Sequence, residues 1–134
     1  MLLFIMLECE KKLENKDIHI IETNLTGEWT VNAYMDNNMI FGPFTITTQM
    51  TSDNDSLSIK DNGAFWKFQT KAEVINPTDV FEANESLNEI SNMGATINIL
   101  NGIVINNDSI AFDIQFEDDE TPYGITYTLK GSRK

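Results

Sequence analysis

The chain has 134 residues, 41% of them hydrophobic, which is enough for one domain with a single buried core. Its formal net charge of −12 argues against nucleic acid as a partner, because phosphate binding requires clustered Lys and Arg. An anionic membrane surface would repel the domain for the same reason. One cysteine and one histidine, Cys9 and His19, exclude an intrachain disulfide, a thiolate metal cluster and any site with two imidazoles. We therefore expect no metal and no cofactor.

The first residues have the pattern of a secretion signal. Residues 2–7 (LLFIML) form an apolar run that is too short to span a bilayer, which takes roughly 20 residues. An apolar run followed by Cys9 and a charged segment resembles a bacterial lipoprotein signal, in which the cysteine is acylated. Glu8 departs from that signal, where a small residue is usual. We interpret residues 1–9 as the remnant of a signal that begins upstream, with Cys9 as the lipidation site, and residues 10–24 as a charged tether. The alternative is an uncleaved N-terminus with an idle thiol.

From residue 25 onward, apolar and polar residues alternate with a period of two, which is typical of strands with one buried face. Turn-forming sequences separate these segments: Asp36-Asn37-Asn38, Asp61-Asn62-Gly63, Asn76-Pro77-Thr78-Asp79, Asn101-Gly102 and Asn106-Asn107-Asp108. The pattern predicts about eight or nine strands, the last of which begins at Tyr123. Helical periodicity is confined to Glu85 to Asn92, which has room for a turn or two.

Short turns in sequence order predict that neighbouring strands pair as an antiparallel meander. Closure into a barrel would remove the exposed edges of such a sheet. The predicted fold class is therefore all-β, an antiparallel up-and-down barrel of about eight to nine strands over residues 25–134. A two-sheet sandwich is the alternative that the alternation leaves open.

The first predicted strand opens with Gly27-Glu28-Trp29-Thr30-Val31, which resembles the Gly-x-Trp signature of the lipocalins and the wider calycin superfamily. In that family the tryptophan closes the barrel floor, and a basic side chain after the last strand packs across it in a cation–π contact. The resemblance implies that Gly27, Trp29 and Arg133 close the barrel here. Together with the lipoprotein-like Cys9, three further segments resemble a group of Bacteroidetes lipoproteins that is catalogued as "lipid-binding putative hydrolases" and placed among the calycins. They are Gly42-Pro43-Phe44-Thr45-Ile46-Thr47-Thr48, Asp55-Ser56-Leu57-Ser58-Ile59 and Asp108-Ser109-Ile110-Ala111-Phe112.

Large apolar side chains on the predicted inward face suggest a ligand site. A barrel of roughly eight strands has either a packed interior or space for one small ligand. An apolar lining recognises a hydrophobic molecule, and methionine adapts to irregular shapes. The predicted lining residues are Met35, Phe44, Met50, Trp66, Phe68, Phe81, Phe112, Phe116, Tyr123 and Tyr127. Core packing alone explains most of them.

The sequence predicts no catalytic residues. A Gly-x-Ser-x-Gly elbow is absent, and His19 lies before the barrel. Asp113 and Glu117 alternate onto the face opposite the aromatic residues, which is most simply the solvent face. The acidic segments Glu117–Glu120 and Asp53–Asp55 offer oxygen ligands for Ca²⁺ but lack the EF-hand spacing. Enzymatic activity is therefore poorly supported, although the family name suggests it.

Three functions are consistent with the sequence. The first is a secreted, extracytoplasmic lipoprotein of the cell envelope, a monomer held at the membrane only by its lipid anchor, whose barrel binds a small hydrophobic, lipid-like ligand. The second is a packed β-barrel interaction module that binds an envelope protein or glycan. The third is a carboxylate-based hydrolase, which requires at least one acid inside the barrel with a raised pKa.

Overall fold

The structure is a computed structural model that describes residues 25–52, 55–75 and 79–134. Its strands are β1 (Gly27–Met35), β2 (Asn38–Met50), β3 (Ser56–Asn62), β4 (Lys67–Ile75), β5 (Val80–Leu87), β6 (Thr96–Ile105), β7 (Ser109–Phe116) and β8 (Tyr127–Arg133). Each strand pairs antiparallel with the next, and β1 pairs with β8, so that the sheet closes into a barrel. The predicted fold class is confirmed and the sandwich is excluded. Among the described residues, no helix is long and apolar enough to cross a membrane. The predictions for Cys9, residues 1–9 and residues 10–24 lie outside the described residues.

The alternating pattern directs one face of each strand into the barrel. On β7, every second residue from Ile110 to Phe116 is buried, and its neighbours are partly exposed. On β1, Trp29, Val31 and Ala33 are buried in the same way. These side chains belong to one continuous apolar cluster inside the barrel. Burial of each large apolar side chain contributes about 1.5–3 kcal/mol, so the interior supplies the main driving force for folding.

Two of the predicted turns close hairpins with residues in the left-handed region. Asp36 and Asn37 have φ values of 52° and 67° between β1 and β2, and Asn106 and Asn107 have 50° and 63° between β6 and β7. Asn and Asp tolerate this conformation because their short polar side chains form local hydrogen bonds. Two consecutive positive φ angles are typical of the tight turn that matches the twist of paired strands.

The prediction of a tight turn at Asn101-Gly102 is wrong. Strand β6 continues through both residues, and its register with β7 shifts between Leu100 and Ile103, which is a β-bulge. Asn101 has a φ of 56°. A Cβ on Gly102 would overlap the ring and backbone of Phe81 on β5, so the bulge gives space to a buried ring. An Asn-Gly pair suits a hairpin turn and a bulge equally, and only the neighbouring strands distinguish them.

Three further boundaries differ from the predictions. Glu85 to Asn92 forms no helix, because β5 pairs with β6 as far as Leu87. Tyr123 lies in the connection before β8, with a φ of 57° and its hydroxyl group bonded to the Thr96 hydroxyl group. The hairpin predicted at Asp61-Asn62-Gly63 joins β3 to β4, but Asp61 belongs to β3, faces the interior and accepts hydrogen bonds from the loop that follows.

Candidate functional site

At the end of the barrel near the start of β1, Arg133 packs over Trp29. These residues are register partners on β1 and β8. The Arg133 guanidinium carbon lies 4.2 Å from the centroid of the Trp29 ring, which is cation–π geometry. The indole is fully buried, and its Nε1 donates a hydrogen bond of 2.9 Å to Thr48 Oγ1. A Cβ on Gly27 would overlap the guanidinium group, so glycine at this position leaves the space that the stacked arginine occupies.

Hydrogen bonds from Arg133 connect three parts of the chain at this end. Its Nη1 donates to the Thr26 carbonyl at 2.7 Å. Its Nε and Nη2 donate to the backbone and side-chain oxygens of Asn107, both at 2.9 Å. The residue before β1, the turn between β6 and β7, and the end of β8 therefore meet on one planar cation.

The predicted lining residues occupy several environments. Buried and facing the interior are Phe44, Phe68, Phe81, Phe112, Phe116 and Tyr127. Met50 and Trp66 are partly buried and pack against the core. Met35 is 37% exposed on the β1–β2 hairpin, and Tyr123 is half-buried in the connection before β8.

Aromatic rings meet across the interior at the end opposite Trp29. Trp66 stacks on Phe116 with centroids 4.0 Å apart, and Phe68 contacts Phe116 at 5.7 Å. Strands β4 and β7 are not neighbours, so these contacts cross the barrel. Phe65, in the loop between β3 and β4, lies 5.3 Å from the ring of Tyr127 on β8. Packed rings therefore fill the space between these strands, and this end of the barrel is capped by a partly exposed aromatic cluster.

The hydroxyl group of Tyr127 ties the aromatic cluster to the acidic connection after β7. It donates a hydrogen bond of 2.8 Å to Asp119 Oδ2. Burial raises the pKa of Tyr127 to about 12, and the hydrogen bond to Asp119 and the negative charges of Asp119 and Glu120 add to the shift. Tyr127 is therefore neutral at ordinary pH and remains a hydrogen-bond donor.

A groove of about 930 Å³ lies in the barrel wall at strands β4 and β5, with further residues from β3 and β6. Its size falls within the range of about 300–1,000 Å³ that is usual for small-molecule sites. The interior-facing residues Ala72, Ala83 and Ile99 form part of its lining, and these side chains are at most 8% exposed. The groove therefore reaches the inner face of the wall.

The groove lies where the pairing of β4 and β5 stops. The two strands are in register from Ile75 opposite Val80 only as far as Glu73 opposite Glu82. Beyond that point, side chains join them: Ser86 Oγ donates to the Lys71 carbonyl at 2.9 Å. Hydrogen bonds between side chains and backbone replace a regular ladder here.

Strand β5 has a bulge beside the groove. Glu85 has a φ of 49°, and the register between β5 and β6 shifts between Ala83 and Ser86. The Glu85 N–H donates a hydrogen bond of 2.7 Å to Asn98 Oδ1 on β6. The Asn98 amide is held in turn by Gln115 on β7, to whose Oε1 it donates at 3.2 Å. Two hydrogen bonds in series, from Glu85 to Asn98 and from Asn98 to Gln115, thus support the bulge on the outer surface of the sheet.

The rim of the groove is polar, in contrast to its base. Glu73 and Glu82 face outward and lie directly opposite each other. Lys71 Nζ lies 3.7 Å from Glu89 Oε2. The groove thus combines three buried apolar residues, Ala72, Ala83 and Ile99, with a lining that is otherwise mostly polar.

None of the ten predicted lining residues borders this groove in the described part of the chain. Ala72 lies on the inward face of β4, but its small side chain does not stand out among inward positions that are mostly large and apolar. Two alanines at inward positions, Ala72 and Ala83, are the signal that was available in the sequence. Their significance depends on the loss of pairing between β4 and β5, which the sequence does not reveal.

Residues 15–134 match the profile of a family described as "Lipid-binding putative hydrolase". The chain belongs to this family. No curated protein matches the sequence. The resemblance to this family is confirmed, and membership of a lipid-binding family together with a closed barrel fits a ligand-binding barrel.

The hydrolase half of the family's description directs attention to acids inside the barrel. Among the described residues, Asp61 on β3 is the acid that is fully buried, and it faces the interior. Its Oδ1 accepts hydrogen bonds from the N–H groups of Gly63 and Ala64, at 3.0 and 2.9 Å. Its Oδ2 accepts from those of Phe65 and Trp66, both at 2.9 Å. The carboxylate thus organises the loop that carries the aromatic cap, and both of its oxygens are engaged in that role.

Proposed function

We propose that this member of the lipid-binding family binds a small hydrophobic, lipid-like molecule in the groove between β4 and β5. The observation that carries the proposal is the groove itself, with Ala72, Ala83 and Ile99 at its base and charged side chains at its rim. The hydrocarbon part of an amphiphile would lie against the base, and its head would stay at the rim in contact with water. The packed rings elsewhere in the barrel favour this wall site over the centre of the barrel.

The driving force for binding is removal of hydrocarbon from water. Each buried methylene group contributes about 0.8 kcal/mol, and the cost of immobilising the ligand offsets part of the total. A chain that buries about six methylene groups would therefore gain about 5 kcal/mol before that cost. This predicts weak to moderate affinity, which suits reversible carriage or sequestration of a lipid-like molecule.

The first test is native mass spectrometry of the protein purified from its own cells, followed by titration with glycerol monododecanoate. Ala83→Leu fills the base of the groove and is expected to weaken binding at least tenfold. Ala111→Leu adds the same side chain on the outer face of β7 and serves as the control. Thermal unfolding of both variants checks that they are folded. Unchanged affinity in a folded Ala83→Leu variant would contradict the proposed site, and a change in Trp66 fluorescence would then place the ligand at the aromatic cap.

We also propose that the protein is an extracytoplasmic, monomeric lipoprotein of the cell envelope with the calycin-type floor of Gly27, Trp29 and Arg133. The apolar run of residues 2–7 and the following Cys9 support the lipid anchor. Cys9→Ser, expressed from the native gene, is expected to move the protein from the membrane fraction to the soluble fraction. A wild-type protein that is already soluble would refute the anchor.

A packed interaction module is the second candidate, and an exposed hairpin favours it. Met35, Met39, Ile40 and Phe41 on the β1–β2 hairpin are 37–57% exposed. A concentration of exposed apolar side chains of this kind is typical of a contact surface. Under this alternative, Ile40→Ser would abolish saturable binding to an envelope protein or glycan, and no lipid would bind to the groove.

A further inference from the structure

The charges around the groove are predominantly negative. Asp55, Glu73 and Glu82 all border it, and Glu73 lies directly opposite Glu82 on the neighbouring strand. Like charges in directly opposed positions of a sheet repel each other. In the described part of the chain, the basic residue that lines the groove is Lys71, and its ammonium group is paired with Glu89 at 3.7 Å. Repulsion from three carboxylates would therefore outweigh the attraction of an anion to the one paired lysine at this rim.

Two polar side chains of the lining donate hydrogen bonds to protein acceptors. Ser86 Oγ donates to the Lys71 carbonyl, and Asn98 Nδ2 donates to Gln115 Oε1. The oxygens of Glu73 and Glu82 can only accept hydrogen bonds when ionised. The rim thus presents three carboxylates as acceptors, which is the arrangement that recognises a donor or a cation.

We propose that the groove selects an amphiphile with a cationic amino head and discriminates against carboxylate and phosphate heads. This inference rests on the proposed function, because it names the ligand class of the same groove. A primary ammonium group between Glu73 and Glu82 would supply three donors and relieve their mutual repulsion. A fatty-acid carboxylate at the same place would add another negative charge. The rim carboxylates therefore repel a carboxylate or phosphate head group and attract an ammonium head group.

The experiment compares three ligands with the same twelve-carbon chain, each kept below its micelle concentration. They are dodecylammonium, glycerol monododecanoate and dodecanoate, titrated calorimetrically into the full chain at low salt. We expect dodecylammonium to bind about tenfold or more tightly than dodecanoate, with the neutral ester between them. The difference is expected to shrink as salt is raised, because the rim is exposed to solvent.

The net charge of −12 attracts any cation. Two paired substitutions therefore separate the contribution of the rim carboxylates from that of the net charge. Glu73→Gln with Glu82→Gln removes two charges at the groove. Glu28→Gln with Glu120→Gln removes two exposed charges elsewhere on the barrel. The groove pair is expected to abolish most of the preference for the amine, and thermal unfolding checks that the variant is folded. The control pair is expected to keep most of that preference.

The outcomes distinguish the two proposals. If the neutral ester binds and dodecanoate binds as tightly as the amine, the inference about the head is wrong and the proposed function stands. If both substituted pairs reduce the preference equally, the attraction is non-specific and the inference is also wrong. If none of the three ligands binds, the proposed function and this inference fail together.

Discussion

Replacing Asp61 by asparagine is expected to destabilise the barrel and release its aromatic cap. The carboxylate accepts hydrogen bonds from four backbone N–H groups, two at each oxygen, in the loop of residues 63–66. Asparagine has one carbonyl oxygen and can keep two of these bonds. Its NH₂ group would face the other two N–H groups, so that donors oppose donors. The shape of the side chain is nearly unchanged, and the effect therefore reports the acceptor oxygen and its charge.

The size of the effect follows from the number of hydrogen bonds lost. A hydrogen bond to a charged group contributes about 1.5–3 kcal/mol, so the loss of two would cost about 3–6 kcal/mol. The loop N–H groups are only partly buried and can recover some of this through water. We expect the free energy of unfolding to fall by about 2–4 kcal/mol. That is a large fraction of the roughly 5–15 kcal/mol that stabilises a domain.

Urea denaturation followed by far-ultraviolet circular dichroism measures the loss of stability, and tryptophan fluorescence reports the loop. Trp66 is expected to become more exposed, since its own N–H group is one of those released. Asp118→Asn, at an exposed position of the acidic connection, is the matched control and should change stability by less than about 0.5 kcal/mol. If Asp61→Asn has the stability and fluorescence of the wild type, the carboxylate does not organise this loop and the reasoning is refuted.

Three further predictions concern other parts of the barrel. Because the folded state raises the pKa of Tyr127 to about 12, stability should be fully present below about pH 10 and decline as pH rises toward 12. Tyr127→Phe should flatten this decline in unfolding measured against pH, and an unchanged profile would contradict the assignment. Arg133→Lys loses the planar stack over Trp29 and should cost about 1–2 kcal/mol in urea denaturation, with altered indole fluorescence. Gly102→Ala forces a Cβ against the Phe81 ring and should lower stability by about 1–3 kcal/mol in thermal unfolding; a neutral effect would show that the bulge relaxes freely.

The sequence by itself determined the class of fold and much of the barrel's order. Alternation with a period of two assigned residues such as Phe112 to the interior, because successive side chains of a strand point to opposite faces. The Asp36-Asn37 turn was also predictable, since its residues tolerate positive φ without help from the rest of the protein. Both features are set by residues that are adjacent in the sequence, so the sequence is enough to predict them.

Tertiary structure decided the features that depend on residues far apart in the chain. Asn101-Gly102 became a bulge because β7 pairs with both sides of it and Phe81 needs the space. Asp61 became a buried loop organiser because β3 turns it inward. The groove lies at the point where β4 and β5 cease to pair, a property of two strands together that alternation within either strand cannot encode.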